Sequence, residues 1–380
     1  MFRLTQFMRQ LHTPQPSRGE RFSGPVVVWN LIRRCNLSCM HCYSASADRE
    51  YRGELDTATV LRVLGELREG GVPALILSGG EPLLREDLFE IAHAAKGHGF
   101  YLALSTNGLL LDQAMAQRVA MVGFDYVGIS LDGLAANHDR IRGRQGAFEG
   151  SLAGIRRCLD LGVKAGIRMT LTGENSSDLP GLLELMEVEG IHRLYLSHLN
   201  YAGRGKVNRK ESPEHQITRQ AMERLLATAW QDVCEKKPRE IVTGNNDADG
   251  PFFLRWVAQQ QPQHLPRMTA LLQRWGGNAS GVGIANIDNL GQLHPDIFWW
   301  NHSLGEVHKT PFTTLWQQSE DPLLQGLRQR PRPVKGRCAT CRHLDICGGN
   351  TRVRAMQVFN DPWAEDPGCY LTDEEINEEW

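Results

Sequence analysis

The sequence predicts an α/β fold, a partial (β/α)6 barrel followed by a loop-rich, cysteine-bearing extension, and two observations predict it. From Val26 to about Ser197, short β-branched or apolar runs alternate with longer segments of helical period, the pattern of βα units around a parallel sheet. After Asn200 the alternation stops, and the chain becomes rich in Gly, Pro, Asn and Trp and ends in a second group of cysteines.

The stretch Met1–His12 carries two arginines but no continuous apolar block with a small-residue cleavage site, and it runs into Pro14 and Pro16. It reads as a short helix packed on the body of a cytoplasmic protein. Strands are expected at Val26–Ile32, Ala74–Leu77, Phe100–Leu104, Tyr126–Ser130, Ala165–Leu171 and Arg193–Ser197. Amphipathic segments lie between them at Asp56–Glu69, Arg85–His98, Asp112–Met121, Phe148–Leu161 and Asp178–Glu189, each long enough for a right-handed crossover. Beyond them, Tyr201–Pro213 reads as a loop and Glu214–Cys234 as a helix. Gly283–His294 reads as a hairpin turning on Asp288-Asn-Leu-Gly291. The expected division is a lead-in over 1–25, the barrel with its following helix over 26–235, and the extension over 236–380.

At 380 residues the chain can bury a full core. A net charge of −2 supplies no general basic field for nucleic acid, and no apolar run approaches the roughly 20 residues of a membrane span. Nine cysteines without an export signal point to metal or redox chemistry rather than a disulfide framework. Cys158 and Cys234 stand alone in helical segments and read as small buried hydrophobes.

In Cys35-Asn-Leu-Ser-Cys39-Met-His-Cys42, three thiols follow directly on a strand. Three thiolates close neither a tetrahedral zinc site nor a four-iron cubane, so a cluster held here keeps one iron open, whereas a zinc knuckle would have to borrow a histidine such as His41. Three further motifs stand in order at the C-terminal ends of the next strands, where barrel enzymes build their sites. They are Ser78-Gly-Gly-Glu-Pro82, Ser105-Thr-Asn-Gly108 and Ser130-Leu-Asp-Gly133.

This series resembles the radical S-adenosylmethionine (SAM) superfamily from Val26 to about Leu199. The resemblance implies a 4Fe-4S cluster on Cys35, Cys39 and Cys42 whose free iron chelates SAM. It also implies that Gly79, Gly80 and Glu81 contact the SAM amino group, with glycines admitting a close backbone approach. Ser105, Asn107, Ser130 and Asp132 would line the adenosyl end, Arg168 would be a candidate for the SAM carboxylate, and Tyr43 would pack near the adenine.

Cys338, Cys341, Cys347 and Cys369 form a closed set of four, which by spacing alone suits structural zinc. Behind such a barrel, the tail resembles the SPASM extension, which holds auxiliary 4Fe-4S clusters. It departs from the usual pattern at Asn278-Ala-Ser-Gly281, Asp296 and Thr351, where ligands of another cluster would stand, so one auxiliary cluster is expected.

Phe2-Arg-Leu-Thr5, Trp29-Asn-Leu-Ile-Arg-Arg-Cys35, His198-Leu-Asn-Tyr-Ala-Gly-Arg-Gly205, Ile287-Asp-Asn-Leu-Gly-Gln-Leu-His-Pro-Asp296 and Gly348-Gly-Asn-Thr-Arg352 extend the resemblance over nearly the whole chain. They resemble heme d1 biosynthesis radical SAM proteins of the NirJ type, and several also match enzymes of the alternative heme pathway. The implied reaction removes propionate side chains from a didecarboxysiroheme-type tetrapyrrole, with electrons from a low-potential donor such as flavodoxin or ferredoxin. A polycarboxylate substrate needs cations near the barrel mouth. Arg142 and Arg144 in one loop and Arg204 and Lys206 in another are the candidates, with His198 and His294 as proton donors or iron ligands. The rival readings are a peptide or protein maturase and a non-enzymatic zinc protein.

Overall fold

In the computed structural model, which describes residues 1–12 and 24–378, the chain forms one ten-stranded sheet flanked by helices. The lead-in expected beyond His12 lies largely outside the described residues. In chain order the elements are α1 (Leu4–His12), β1 (Val26–Ile32), α2 (Thr57–Glu69), β2 (Ala74–Gly79), α3 (Leu88–Gly97), β3 (Tyr101–Thr106), α4 (Gln113–Val122) and β4 (Tyr126–Ser130). There follow α5 (Ala135–Arg142), α6 (Ala147–Asp160), β5 (Ala165–Leu171), α7 (Leu179–Val188), β6 (Arg193–His198), α8 (Arg204–Val207), α9 (His215–Cys234) and β7 (Glu240–Gly244). The last third holds α10 (Asp249–Gln260), α11 (Leu265–Trp275), β8 (Ile284–Ile287), β9 (Gln292–His294), β10 (Gly305–Glu306) and short helices around the second cysteine group.

Strands β1 to β7 pair in sequence order, all parallel. On the other side of β1 lies β8, also parallel, and the hairpin β8–β9 is found where the sequence places it, with β10 at the edge. Two strands therefore exceed the expected parallel six, and the alternation does not end at Asn200. The sheet runs on through Glu240–Gly244, across the division expected at 235. The missed strand is a five-residue Glu-Ile-Val-Thr-Gly run behind a 20-residue helix, and Ile284–Ile287 is shorter still. Within Tyr201–Pro213, α8 and a short 3-10 turn at Arg209–Glu211 replace the expected loop.

Period-two alternation sorts each strand. Leu75 and Leu77, Leu102 and Leu104, Val127 and Ile129, and Leu194 and Leu196 are buried in the main core. Ser78, Ser105, Ser130, Arg168, Tyr195 and Ser197 point to the concave side, where they line a cavity. The register aligns Ser105 with Gly128, Ser130 with Arg168, and Arg168 with Tyr195. A slip by one residue would send this polar set into the core.

Crossovers begin on caps that the sequence carries. Asp56 accepts from Thr59 N at 2.8 Å to start α2, and Asp112 accepts from Met115 N at 2.8 Å to start α4, each satisfying a first-turn N–H that has no partner within its helix. Helix α1 packs on the body as expected. Phe2 exchanges backbone hydrogen bonds with Thr243 on the β7 edge, and its ring lies 5.6 Å from that of Phe253 and 5.2 Å from that of Trp275. Cys158 is buried, but Cys234 is exposed at the end of α9, so the buried reading fails there. Among the described residues no helix is long and apolar enough to cross a membrane.

Candidate active site

The loop after β1 carries Cys35, Cys39 and Cys42, and neighbouring elements hold it from three sides. From β2, Gly80 N donates to Ile32 O at 2.6 Å and Glu81 N to Arg34 O at 2.9 Å. A Cβ on Gly79 would stand 2.3 Å from Ile32 O, and one on Gly80 would stand 2.2 Å from Arg34 O. The backbone that crowds these glycines is therefore the chain's own, at the entry to the cysteine loop. From α5, Ile141 O accepts from Met40 N at 2.9 Å. From α8, Arg204 N donates to Cys42 O at 2.9 Å, while its guanidinium donates to Cys39 O at 2.6 Å and Ser46 O at 2.7 Å.

The three thiols face a cleft at the C-terminal ends of the strands. Gly79, Gly80, Ser105, Asn107, Ser130 and Arg168 line the same cleft, as do Arg142, Arg204, His198 and Tyr43. The structure thus brings most of the sequence-predicted residues together. Asn107 bridges to the loop, its amide donating to Asn36 Oδ1 at 2.7 Å with Cys35 Sγ at 3.9 Å. A Cβ on Gly128 would meet Arg168 at 2.6 Å; the missing side chain lets Arg168 lie across β4 with its guanidinium 4.6 Å from the centre of the Tyr195 ring.

Two predicted contacts stand behind the cleft rather than in its wall. Glu81 is fully buried and accepts from Thr106 Oγ1 at 2.7 Å, Asn107 N at 2.8 Å and Leu83 N at 3.1 Å. Asp132, also fully buried, accepts from His41 Nε2 and Thr170 N at 2.7 Å and faces Arg142 Nη2 at 2.6 Å. These carboxylates position neighbouring side chains and backbone. Burial alone would raise the Asp132 carboxyl, but Arg142 and then His41 hold it below the usual range. Burial, with Glu81 beside it, pushes the Cys35 thiol up to about 12.

The basic loops separate into different roles. Arg144 and Lys206 are exposed and do not line the cleft. Arg142 turns inward onto Asp132 and Cys39, and Arg204 is committed to the cysteine loop, leaving only its buried Nη2 without a partner. His198 reaches the cleft and stands 3.1 Å from the Asp249 carboxylate. His294 does not reach it, with Nδ1 2.8 Å from His302 O. The cleft also contains Tyr195, Asn245 and Phe298, which the sequence reading missed. Asn245 follows the overlooked β7 and takes a positive φ of 68°, and Phe298 opens the aromatic run Phe298-Trp299-Trp300 after the hairpin.

Cys338, Cys341, Cys347 and Cys369 line a second, small cavity with Arg337 and Asn350. Burial, then the neighbouring Cys341, Cys369 and Cys338, raises the Cys347 thiol. Asn278, Asp296 and Thr351 are buried in hydrogen bonds instead. Asn278 donates to Asp247 at 3.0 Å and accepts from Arg332 at 2.9 Å, Asp296 accepts from Ser280, and Thr351 Oγ1 accepts from Asn200 at 3.4 Å. Among the described residues no three His, Cys, Asp or Glu side chains are grouped around a single-ion position.

Residues 29–186 match the family model of the radical SAM superfamily. The chain is 52% identical over 375 residues to the pre-heme d1 synthase of Dinoroseobacter shibae, covering 98% of this chain and 93% of that protein. It is 41% identical over 355 residues to the Fe-coproporphyrin III synthase of Methanosarcina barkeri, covering 93% and 89%. Streptococcus suis SuiB bound to S-adenosylmethionine shares the fold, with a TM-score of 0.70, 19% identity and coverage of 92% and 78%. The cysteine loop and the glycine turn clamped on it fall within residues 29–186, and with a relative more than half identical along almost its full length, the chain belongs to the radical SAM superfamily.

Proposed function

We propose that this enzyme removes propionate side chains from a didecarboxysiroheme-type tetrapyrrole during heme d1 biosynthesis. The observation that carries the reading is the joint wall of the cleft, where Cys35, Cys39 and Cys42 share one space with Arg168 and Arg204. Its similarity along almost the full length to a pre-heme d1 synthase supports the tetrapyrrole.

The residues fit the groups that the family implies. Three thiols open on one cavity, glycine backbone closes around their loop, and Arg204 Nη2 is buried without a partner. Cys35, Cys39 and Cys42 would hold a 4Fe-4S cluster, which would supply the electron for reductive cleavage of SAM and so the radical chemistry on the substrate. The protein's part is binding and orientation. Gly79, Gly80, Ser105, Asn107 and Ser130 form the SAM side of the cleft, and Arg168 offers a cation to a carboxylate. Phe298 gives an apolar wall for a flat macrocycle, and His198, held through Nε2 by Asp249, can exchange a proton with substrate only through Nδ1. Cys338, Cys341, Cys347 and Cys369 would hold one auxiliary cluster, and a flavodoxin or ferredoxin would supply electrons.

Anaerobic turnover with SAM, a low-potential reductant and didecarboxysiroheme, followed by mass spectrometry, tests the reading. Loss of propionate mass together with 5′-deoxyadenosine is the expected result. SAM cleavage with an unchanged tetrapyrrole, or with a different mass loss, contradicts it.

A further inference from the structure

Arg142 is the last residue of α5, and Gly143 after it takes a positive φ of 68° that ends the helix. The helix end is seated directly under the cysteine loop. Met40 N donates to Ile141 O at 2.9 Å, and a Cβ on Gly143 would stand 3.2 Å from Ser38 O. The Arg142 side chain is thereby turned inward, 8% exposed, with Nη1 3.5 Å from Cys39 Sγ and Nη2 2.6 Å from the Asp132 carboxylate. Asp132 is itself fixed from two other elements, by Thr170 N on β5 and by His41 of the cysteine loop. Both it and Cys39 are shielded from solvent, so bulk salt screens the guanidinium weakly.

We propose that Arg142 is a redox-positioning residue, a fixed cation held by Asp132 against the Cys39 thiolate, which raises the reduction potential of the SAM-binding cluster. The inference rests on the assignment of that cluster to Cys35, Cys39 and Cys42. Adding an electron to a thiolate-ligated cluster makes it more negative. A cation and N–H donor at a ligand sulfur stabilise the reduced form more than the oxidised one, and charge and hydrogen bonds to sulfur are the levers that set such potentials. Asp132 offsets part of this field, but it lies on the far side of the guanidinium, whose other terminal nitrogen meets the sulfur. Arginine suits the role because its charge persists when buried and its planar fork serves both partners at once.

The test is an anaerobic redox titration of the full-length, cluster-loaded protein by electron paramagnetic resonance, following the signal that changes when SAM is added. Iron and sulfide content and that signal in the wild type check the cluster assignment separately. In Arg142→Gln the midpoint should fall, with a reduced-to-oxidised ratio at fixed potential at least tenfold lower, about 59 mV for a one-electron couple. Arg142→Lys should keep the ratio within threefold of the wild type. Arg144→Gln, which removes an exposed charge from the same loop, should leave it unchanged. An unaltered midpoint in Arg142→Gln with full iron content overturns the proposal. If the Gln variant holds no cluster, the Lys variant decides: retention of iron and midpoint supports a role for the charge, and loss of iron in both overturns it.

Discussion

Arg354 and Asp366 form a two-pronged ion pair, Nε to Oδ1 at 2.9 Å and Nη2 to Oδ2 at 2.6 Å, with side chains 2% and 0% exposed. The pair fixes the turn that presents Cys369. Gly368 N donates to Asp366 Oδ1 at 2.9 Å and Cys369 N to Asp366 O at 3.1 Å, while Arg354 Nη1 donates to Asn245 O at 2.6 Å. One guanidinium therefore ties the second cysteine cavity to the loop after β7 that borders the first cleft.

Asp366→Asn removes one charge of this buried pair and leaves the other uncompensated. Chemical denaturation should show a loss of about 3–5 kcal/mol, the usual consequence of breaking such a pair from one side.

Acid should weaken the fold through the same groups. Burial would raise the Asp366 carboxyl, but Arg354 outweighs it and the carboxyl sits below its ordinary 3.8; Asp132 is likewise held low by Arg142 and His41. A carboxylate with a depressed folded value contributes stability that is fully present above its unfolded value and is lost as pH falls through the folded one. Denaturation midpoints should be flat in these groups above pH 3.8 and decline below it, with a shallower acid limb in Asp366→Asn.

Cys369 shares its cavity with Cys338, Cys341 and Cys347, which favours it as a fourth ligand. A variant lacking Cys35, Cys39 and Cys42 should retain one cluster whose spectrum does not respond to tetrapyrrole, because four thiolates leave no open iron. Adding Cys369→Ala should lose or convert that cluster; an unchanged spectrum would place the fourth ligand elsewhere.

Arg168→Ala should weaken SAM binding by about 1.5–3 kcal/mol, the worth of a hydrogen bond to a charged group, as read by calorimetry on cluster-loaded protein. Arg144→Ala and Lys206→Ala, which alter exposed side chains outside the cleft, should leave affinity for both SAM and tetrapyrrole unchanged.

The strands that build the cleft were legible because short β-branched or apolar runs bounded by turn residues carry their own signal, and Ser105, Asn107, Ser130 and the cysteines follow directly from those strand ends. What stayed hidden depends on tertiary packing. A five-residue strand such as Glu240–Gly244 gains its identity from pairing with β6, and Asn245 could not be placed without it. Arg142 and Arg144 look alike in Arg-Ile-Arg-Gly-Arg, yet the helix end at Gly143 turns one inward onto Asp132 and leaves the other in solvent. Glu81 and Asp132 read as ligand contacts because their motifs border the site, but the donors that claim their oxygens, Thr106, Asn107, Thr170 and His41, are adjacent only in the fold.

The most direct test of the account is quantification of 5′-deoxyadenosine from SAM under anaerobic reduction, in the wild type and in Cys35→Ala, Cys39→Ala and Cys42→Ala. The wild type should form it and each variant should form none while keeping a native circular dichroism spectrum. Undiminished SAM cleavage in any one of the three variants would contradict the assignment of these thiols to the SAM-binding cluster.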